Sequence, residues 1–142
     1  MKKTTRTILA FDDRQIDYIK QLRQAFAAMA GEQADLANKD MFLIAMGVGF
    51  HAKNKLPDFK RSNTGVRIQY FNAEDNVLFA ALQITETNDP KSLMDIEDLY
   101  DLAELYAGGG VKILWNYLQN ERDFGEWFAG YMQSSLGAVG KS

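Results

Sequence analysis

The most apolar part of the sequence is KDMFLIAMGVGFHA at residues 39–52. Apolar side chains occupy nearly every position from 41 to 50, and a helix that is apolar on all sides is buried on most of them. Gly47 and Gly49 each cost the helix about 1 kcal/mol relative to Ala, so we expect another backbone to pack closely there. With Asn38 as the predicted N-cap, this helix is expected to form the core of the domain or of a dimer.

The residues before this helix predict a short strand and an amphipathic helix. Residues 4–11 are rich in Thr and Ile and alternate roughly in polarity, which is typical of a strand. Asp12 or Asp13 can cap the helix that follows, and Gly31 can end it. Within it the apolar residues recur every three to four positions: Ile16, Ile19, Leu22, Phe26 and Met29.

After the core helix the pattern predicts a loop, a second strand and a capped helix. Pro57 and a run of turn-forming residues indicate a loop over residues 53–64. Residues 66–71 are predicted to form the strand. Asn72 followed by Asp75 has the spacing of a reciprocal helix cap.

The last part of the chain predicts further helices interrupted by glycines. Asp89 and Pro90 are typical of a helix start, and we expect that helix to end at Gly108. Helices are predicted again over residues 111–118 and 123–132. The run GGG at 108–110 is interpreted as a helix stop with a tight turn, and phosphate binding at the next helix start is the alternative.

These patterns predict a mainly α fold, a single compact helical domain of about five to six helices with one or two short strands. A chain of 142 residues suits one domain, and 46% hydrophobic and 25% charged residues are globular values. We expect the domain to span residues 1–133, with its strand at the amino terminus. Residues 134–142 are mostly small and predict a flexible tail.

The composition argues against several kinds of site. The sequence contains no Cys, which excludes thiolate chemistry and agrees with a reducing compartment, so we predict a cytoplasmic protein. His51 is the only histidine, and a place at a helix end is typical of a structural role. The longest apolar stretch is half the length of a membrane span. We therefore expect that the protein is not an enzyme and has no catalytic residues. We also expect that it binds no cofactor or metal and does not contact a membrane.

Charge is distributed unevenly along the chain. Residues 1–72 hold 12 Lys and Arg against 7 Asp and Glu, whereas residues 73–142 hold 4 against 12. This asymmetry indicates either two binding faces of opposite charge or two halves that attract each other.

The basic half supplies one candidate surface. Lys and Arg neutralise phosphates, and nearby aromatic rings can stack on bases. A solvated loop whose aromatic residues join the core is the plainer alternative. We predict that nucleic acid or an acidic partner is bound by Thr5, Arg6, Thr7, Lys53, Lys55, Lys60, Arg61 and Arg67.

The acidic half supplies the other candidate surface. Helical spacing places Glu97, Asp101 and Glu104 on one face and Asp98 on a neighbouring one. We predict that these four residues bind a protein partner. A solvated helix face is the plainer alternative, and a magnesium site built from two or three of the carboxylates is a less favoured one.

The amino-terminal order of elements resembles the ribbon-helix-helix layout. In that family two chains pair their strands, and the strand pair enters the DNA major groove. The resemblance implies that Thr5, Arg6 and Thr7 lie on the DNA-reading strand. The first helix and its connection are longer here than is usual for that family.

A second resemblance rests on three segments, KDMFLIAMGVGFHAKNK at 39–55, GVRIQYF at 65–71 and DLAELYAGGGVKILWNYL at 101–118. They look like the small accessory proteins associated with bacterial DNA phosphorothioation (Dnd) modification and restriction islands. The resemblance covers about residues 39–120 and implies a role in phage defence near a DNA-modifying or DNA-cleaving complex. It supplies no catalytic residues.

We therefore expect a non-catalytic accessory or interaction subunit of a bacterial DNA-modification or anti-phage defence complex. Its expected partners are protein subunits of that complex, with direct DNA contact and a homodimer left open. The alternative is a DNA-binding regulator of ribbon-helix-helix type that acts as a dimer.

Overall fold

The computed structural model describes residues 6–29, 31, 36–91, 95–120 and 124–140. Within them the predicted mainly α fold is confirmed, with five α-helices and one two-stranded sheet. The division into a domain over 1–133 and a tail over 134–142 stays a prediction. In chain order the elements are β1 (Ile8–Asp12), a 3-10 turn (Asp13–Gln15), α1 (Ile16–Met29), α2 (Asn38–His51), β2 (Arg61–Arg67), a second 3-10 turn (Ile68–Tyr70), α3 (Ala73–Thr87), α4 (Ile96–Asn120) and α5 (Phe124–Gly140).

The centre of the fold is the contact between α2 and α4, where the two backbones lie unusually close. A Cβ atom built on Gly49 would lie 2.0 Å from the carbonyl oxygen of Tyr106. One built on Gly110 would lie 1.7 Å from the carbonyl oxygen of Ala45. The expected close packing is therefore confirmed at Gly49. On Gly47, by contrast, a Cβ would meet no atom of the described residues within 4 Å.

The glycine triplet lies inside α4, so the predicted helix stop at Gly108 is wrong. A Cβ on Gly109 would lie 1.8 Å from the carbonyl oxygen of Asn54, and one on Gly108 would lie 2.9 Å from the side chain of Leu56. Only glycine lets α4 approach α2 and the loop that contains Asn54 and Leu56 so closely. The favourable packing outweighs the low helix propensity of glycine. Because α4 continues unbroken through Val111, no helix begins there to bind a phosphate.

The two strands form an antiparallel pair, with Ile8 opposite Arg67. Both are displaced from their predicted positions. β1 begins at Ile8, after the described residues 6 and 7, and β2 ends at Arg67. Residues 68–70, predicted to continue β2, instead form a 3-10 turn that brings Phe71 into the core.

Local capping signals give mixed results. The predicted reciprocal cap of α3 is confirmed, because Asn72 accepts a hydrogen bond from the Asp75 backbone N–H and Asp75 accepts one from the Asn72 N–H. Asp12 caps the turn before α1 as expected, accepting from the backbone N–H of Arg14. The prediction that Asn38 caps α2 is wrong, since Ala37 holds that position and gives no side-chain hydrogen bond.

Aromatic side chains fill the core on two sides of α2. Phe42 and Phe79 both pack against Phe71 edge-on, with ring centroids 6.0 and 5.1 Å apart. On the other side Phe26 of α1 packs edge-on against Phe128 of α5, with ring centroids 4.8 Å apart. None of the described helices combines the length and the apolar character needed to cross a membrane.

Candidate interaction surfaces

The predicted basic and acidic residues meet in one network around Glu104. This side chain is only 2% exposed. Its carboxylate accepts hydrogen bonds from the backbone N–H of Ala10 at 2.7 Å, from Arg61 Nε at 3.0 Å and from Arg6 Nη1 at 3.3 Å. The buried charge is thus satisfied, and it fastens α4 to both strands.

Three carboxylates of α4 enclose Arg6. Its guanidinium lies 3.2 Å from Glu97 and also contacts Asp101 and Glu104. Burial opposes the charge on Arg6, but the hydrogen bond to Asp101 and the nearby carboxylates raise its pKa. Burial raises the pKa of Glu104, since its hydrogen-bonded and cationic neighbours offset the lost hydration only in part. At these residues the two oppositely charged halves of the chain attract each other.

Asp98 is exposed in the first turn of α4. Its backbone N–H donates to the side chain of Asp95 at 3.2 Å. In the described part of the chain, no group of three His, Asp or Glu residues is placed to hold a metal ion. Whether the four predicted acidic residues bind a protein stays a prediction.

The remaining residues predicted to bind nucleic acid or an acidic partner differ in their surroundings. Lys55 pairs with Glu86 of α3, 2.5 Å away. Thr7 is exposed just before β1, and Thr5 lies outside the described residues. Of the predicted basic residues, Lys53, Lys60 and Arg67 are exposed and form no ion pair with a described residue.

A cleft of about 650 Å³ opens at the carboxyl end of α2, and its lining includes His51, Lys53 and Lys55. Inside it, Tyr106 donates a hydrogen bond to Glu86 at 2.6 Å. Hydrogen bonds from Lys55 and Tyr106 lower the pKa of Glu86. Burial and the Glu86 carboxylate raise the pKa of Tyr106 to about 12. Glu86 is thus partnered by Lys55 and Tyr106 within the cleft, whereas Lys53 forms no ion pair with a described residue.

The outer face of α3 is apolar and exposed. Val77 is 66% exposed and Leu78 53%, and Tyr70, just before the helix, is 59% exposed. Helical spacing places Ala81 on the same face, whereas Phe79 is buried on the opposite face. The sequence pattern does not reveal this surface, because residues 77–82, VLFAAL, are apolar throughout and show no period that separates buried from exposed positions. Val77 and Leu78 are neighbours on this helix, and a contiguous exposed apolar patch is a feature of interaction sites.

A family model described as DNA sulphur modification system-associated protein 4 matches residues 17–136. The chain belongs to this family. The comparisons with curated proteins and with solved structures gave no match. Membership of the sulphur modification family confirms the resemblance to the small accessory Dnd proteins. The match is wider than the predicted 39–120 and takes in most of α1 and α5.

The ribbon-helix-helix resemblance is not confirmed for this family member. β1 pairs with β2 of the same chain rather than with a second chain. Away from β2, the Ala10 N–H is held by Glu104 and the Ile8 carbonyl accepts from Arg61 at 2.9 Å. Arg6 precedes the strand and turns towards α4. Side chains of the protein thus already occupy the edge that a second strand would need.

Proposed function

We propose that this DNA sulphur modification system-associated protein is a non-catalytic interaction subunit of a DNA-modification or anti-phage defence complex in the cytoplasm. Family membership supports a role beside the modification machinery. The carboxylates of α4 nearest one another are engaged by Arg6 and Arg61, which supports a structural role for them.

The exposed face of α3 carries the proposal. Val77 and Leu78 on this face expose large apolar side chains to water, and so does Tyr70 in the turn before α3. Burying an exposed Val or Leu side chain contributes roughly 1.5–3 kcal/mol, and partial exposure scales this down. The three side chains can therefore supply several kcal/mol of binding free energy, and tyrosine is enriched among residues that dominate interfaces.

Double substitution of Val77→Glu and Leu78→Glu tests this role. Both positions point outward, so the variant is expected to fold as the wild type does, which its circular dichroism spectrum checks. It should lose the protein partner that the tagged wild type retains in pull-downs from cells with the modification system. Met29→Glu is the matched control, because Met29 is also apolar and exposed, at 41%, but lies on α1. Retention of the partner by the double variant would remove α3 from the interface.

Direct contact with DNA is a second candidate, favoured by the unpaired cations at both ends of β2. Lys60 and Arg67 are exposed and form no ion pair with the described residues. Arg61 is unsuitable for this test, because it binds buried Glu104.

The double variant Lys60→Glu with Arg67→Glu should weaken DNA binding and flatten its salt dependence. Each lost phosphate contact reduces the slope of log affinity against log salt by about 0.9. Lys20→Glu, an exposed change on α1, serves as the control. Affinity without salt dependence in the wild type would rule out DNA contact through these residues.

A further inference from the structure

An apolar groove of about 400 Å³ runs along the outer side of α2. Leu43, Ile44 and Gly47 form one wall, and Phe128 and Tyr131 of α5 form the other. His51 closes its carboxyl end, with its ring 5.7 Å from that of Tyr131. The groove is separate from the α3 face on which the proposed function rests.

No contact with a described residue explains why glycine occupies position 47 in this groove. Glycine within a helix costs about 1 kcal/mol relative to Ala. At Gly49 and Gly110 close backbone contacts explain the residue, because an added Cβ would overlap a neighbouring carbonyl. The described surroundings are open at Gly47 and also at Gly130 of α5, but of these two only Gly47 lines the groove. If a helix of another molecule packed here, Gly47 would allow two backbones to approach closely, as Gly49 and Gly110 do.

We propose that α2 of a second copy of this protein occupies the groove, antiparallel to the first, with the two helices crossing at Gly47. Helices that pack with a shallow crossing angle of about 20° stay in contact over several turns. A two-fold contact of this kind uses the same surface on both copies, so that surface must complement itself.

The charges along α2 meet this requirement. Asp40 lies in the first turn, two turns before Gly47 and on the same face of the helix. His51 lies in the last turn, and Lys53 follows at the carboxyl end. An antiparallel crossing at Gly47 brings Asp40 of one copy to the basic end of the other, whereas a parallel crossing would place the two aspartates together. Antiparallel helix dipoles add to the preference.

The opposite charges at the two ends of α2 favour a second copy of this protein over an unrelated partner. The groove lining is mostly apolar, with His51 at one end. Asp40 lies beyond the groove on the same face of α2, and Lys53 follows the opposite end of the helix, so this face fits its own inverted image. A foreign helix would have to reproduce this order of charges.

Gly47→Leu tests the contact in purified protein, with no other component present. The added side chain projects into open space within one copy, so the monomer keeps its fold, which its circular dichroism spectrum verifies. Between copies it keeps the helices apart. We expect sedimentation equilibrium to show a wild-type dimer whose dissociation constant rises at least about tenfold in Gly47→Leu. Gly130→Leu, at an open position of α5, should leave the dimer unchanged.

Charge reversal tests the orientation. Asp40→Lys and Lys53→Asp should each weaken the dimer, and the double variant should restore it. A monomeric wild type, or a dimer that Gly47→Leu leaves intact, overturns the proposal. Failure of the double reversal to restore the dimer overturns the antiparallel arrangement. Because these measurements involve one protein alone, their failure leaves the α3 interface untouched.

Discussion

Gly110→Ala adds one methyl group where α4 lies closest to α2. The new Cβ would stand 1.7 Å from the Ala45 carbonyl oxygen, and ordinary contacts begin at 3.4 Å. The obstacle is backbone, which cannot rotate away as a side chain can. The two central helices must therefore move apart by about the missing 1.7 Å.

The cost follows from this separation. Overpacking a core costs about 1–3 kcal/mol when side chains adjust, and a radial gap of about 1 Å forfeits up to half of the dispersion energy of the contacts involved. Exchanging Gly for Ala in a helix returns about 1 kcal/mol. We expect the free energy of unfolding to fall by roughly 2–4 kcal/mol, with a Tm lower by about 5–15 °C.

Urea and thermal denaturation followed by circular dichroism measure the effect, with Gly130→Ala as the matched control. Gly130 also lies in a helix, but a Cβ there meets no described atom within 4 Å. The control should gain up to about 1 kcal/mol. Equal stability of Gly110→Ala and Gly130→Ala would refute close packing of α4 on α2 and favour a turn at the glycines.

Two further predictions concern charge. Arg61→Ala should lower the free energy of unfolding by about 1–3 kcal/mol, because buried Glu104 loses one of its partners. The neighbouring control Lys60→Ala should change the free energy of unfolding by less than about 0.5 kcal/mol. Urea denaturation measures both variants. The hydrogen bond from Lys39 lowers the pKa of Asp75, so ionised Asp75 stabilises the fold above the ordinary aspartate pKa, and this stabilisation is lost as the pH falls through the lowered value. Asp75→Asn should therefore be less stable than wild type at neutral pH, with the difference narrowing in acid, and a constant difference across a pH series of denaturation curves would contradict this.

The parts of the fold that depend on neighbouring residues could be predicted from the sequence. The cap formed by Asn72 and Asp75 needs only their spacing, and the burial of α2 needs only its composition. Both predictions are confirmed because local interactions decide them.

The glycine triplet could not be assigned in this way. Glycine breaks an isolated helix, and the contacts that keep α4 whole come from Ala45, Asn54 and Leu56, more than 50 residues away in the sequence. The end of β2 depends likewise on where Phe71 packs. Such contacts exist only in three dimensions.

The interaction surfaces show the same limit. The sequence shows that its two halves are oppositely charged. The ion pair between Arg6 and Glu104 joins residues 98 positions apart, and no local sequence pattern predicts such a contact. These contacts leave only some of the predicted basic residues unpaired. The exposed face of α3 had no separate signal, because the apolar run that contains Val77 and Leu78 also contains buried Phe79.

We expect this protein to bind a protein subunit and not to act on DNA by itself. The test is affinity purification of the tagged wild-type protein from its native host, before and after nuclease treatment, with mass spectrometry of the retained components. A near-stoichiometric component of the DNA sulphur modification machinery that survives the nuclease is the predicted result. Recovery of nucleic acid, with every accompanying protein lost after nuclease treatment, would contradict it.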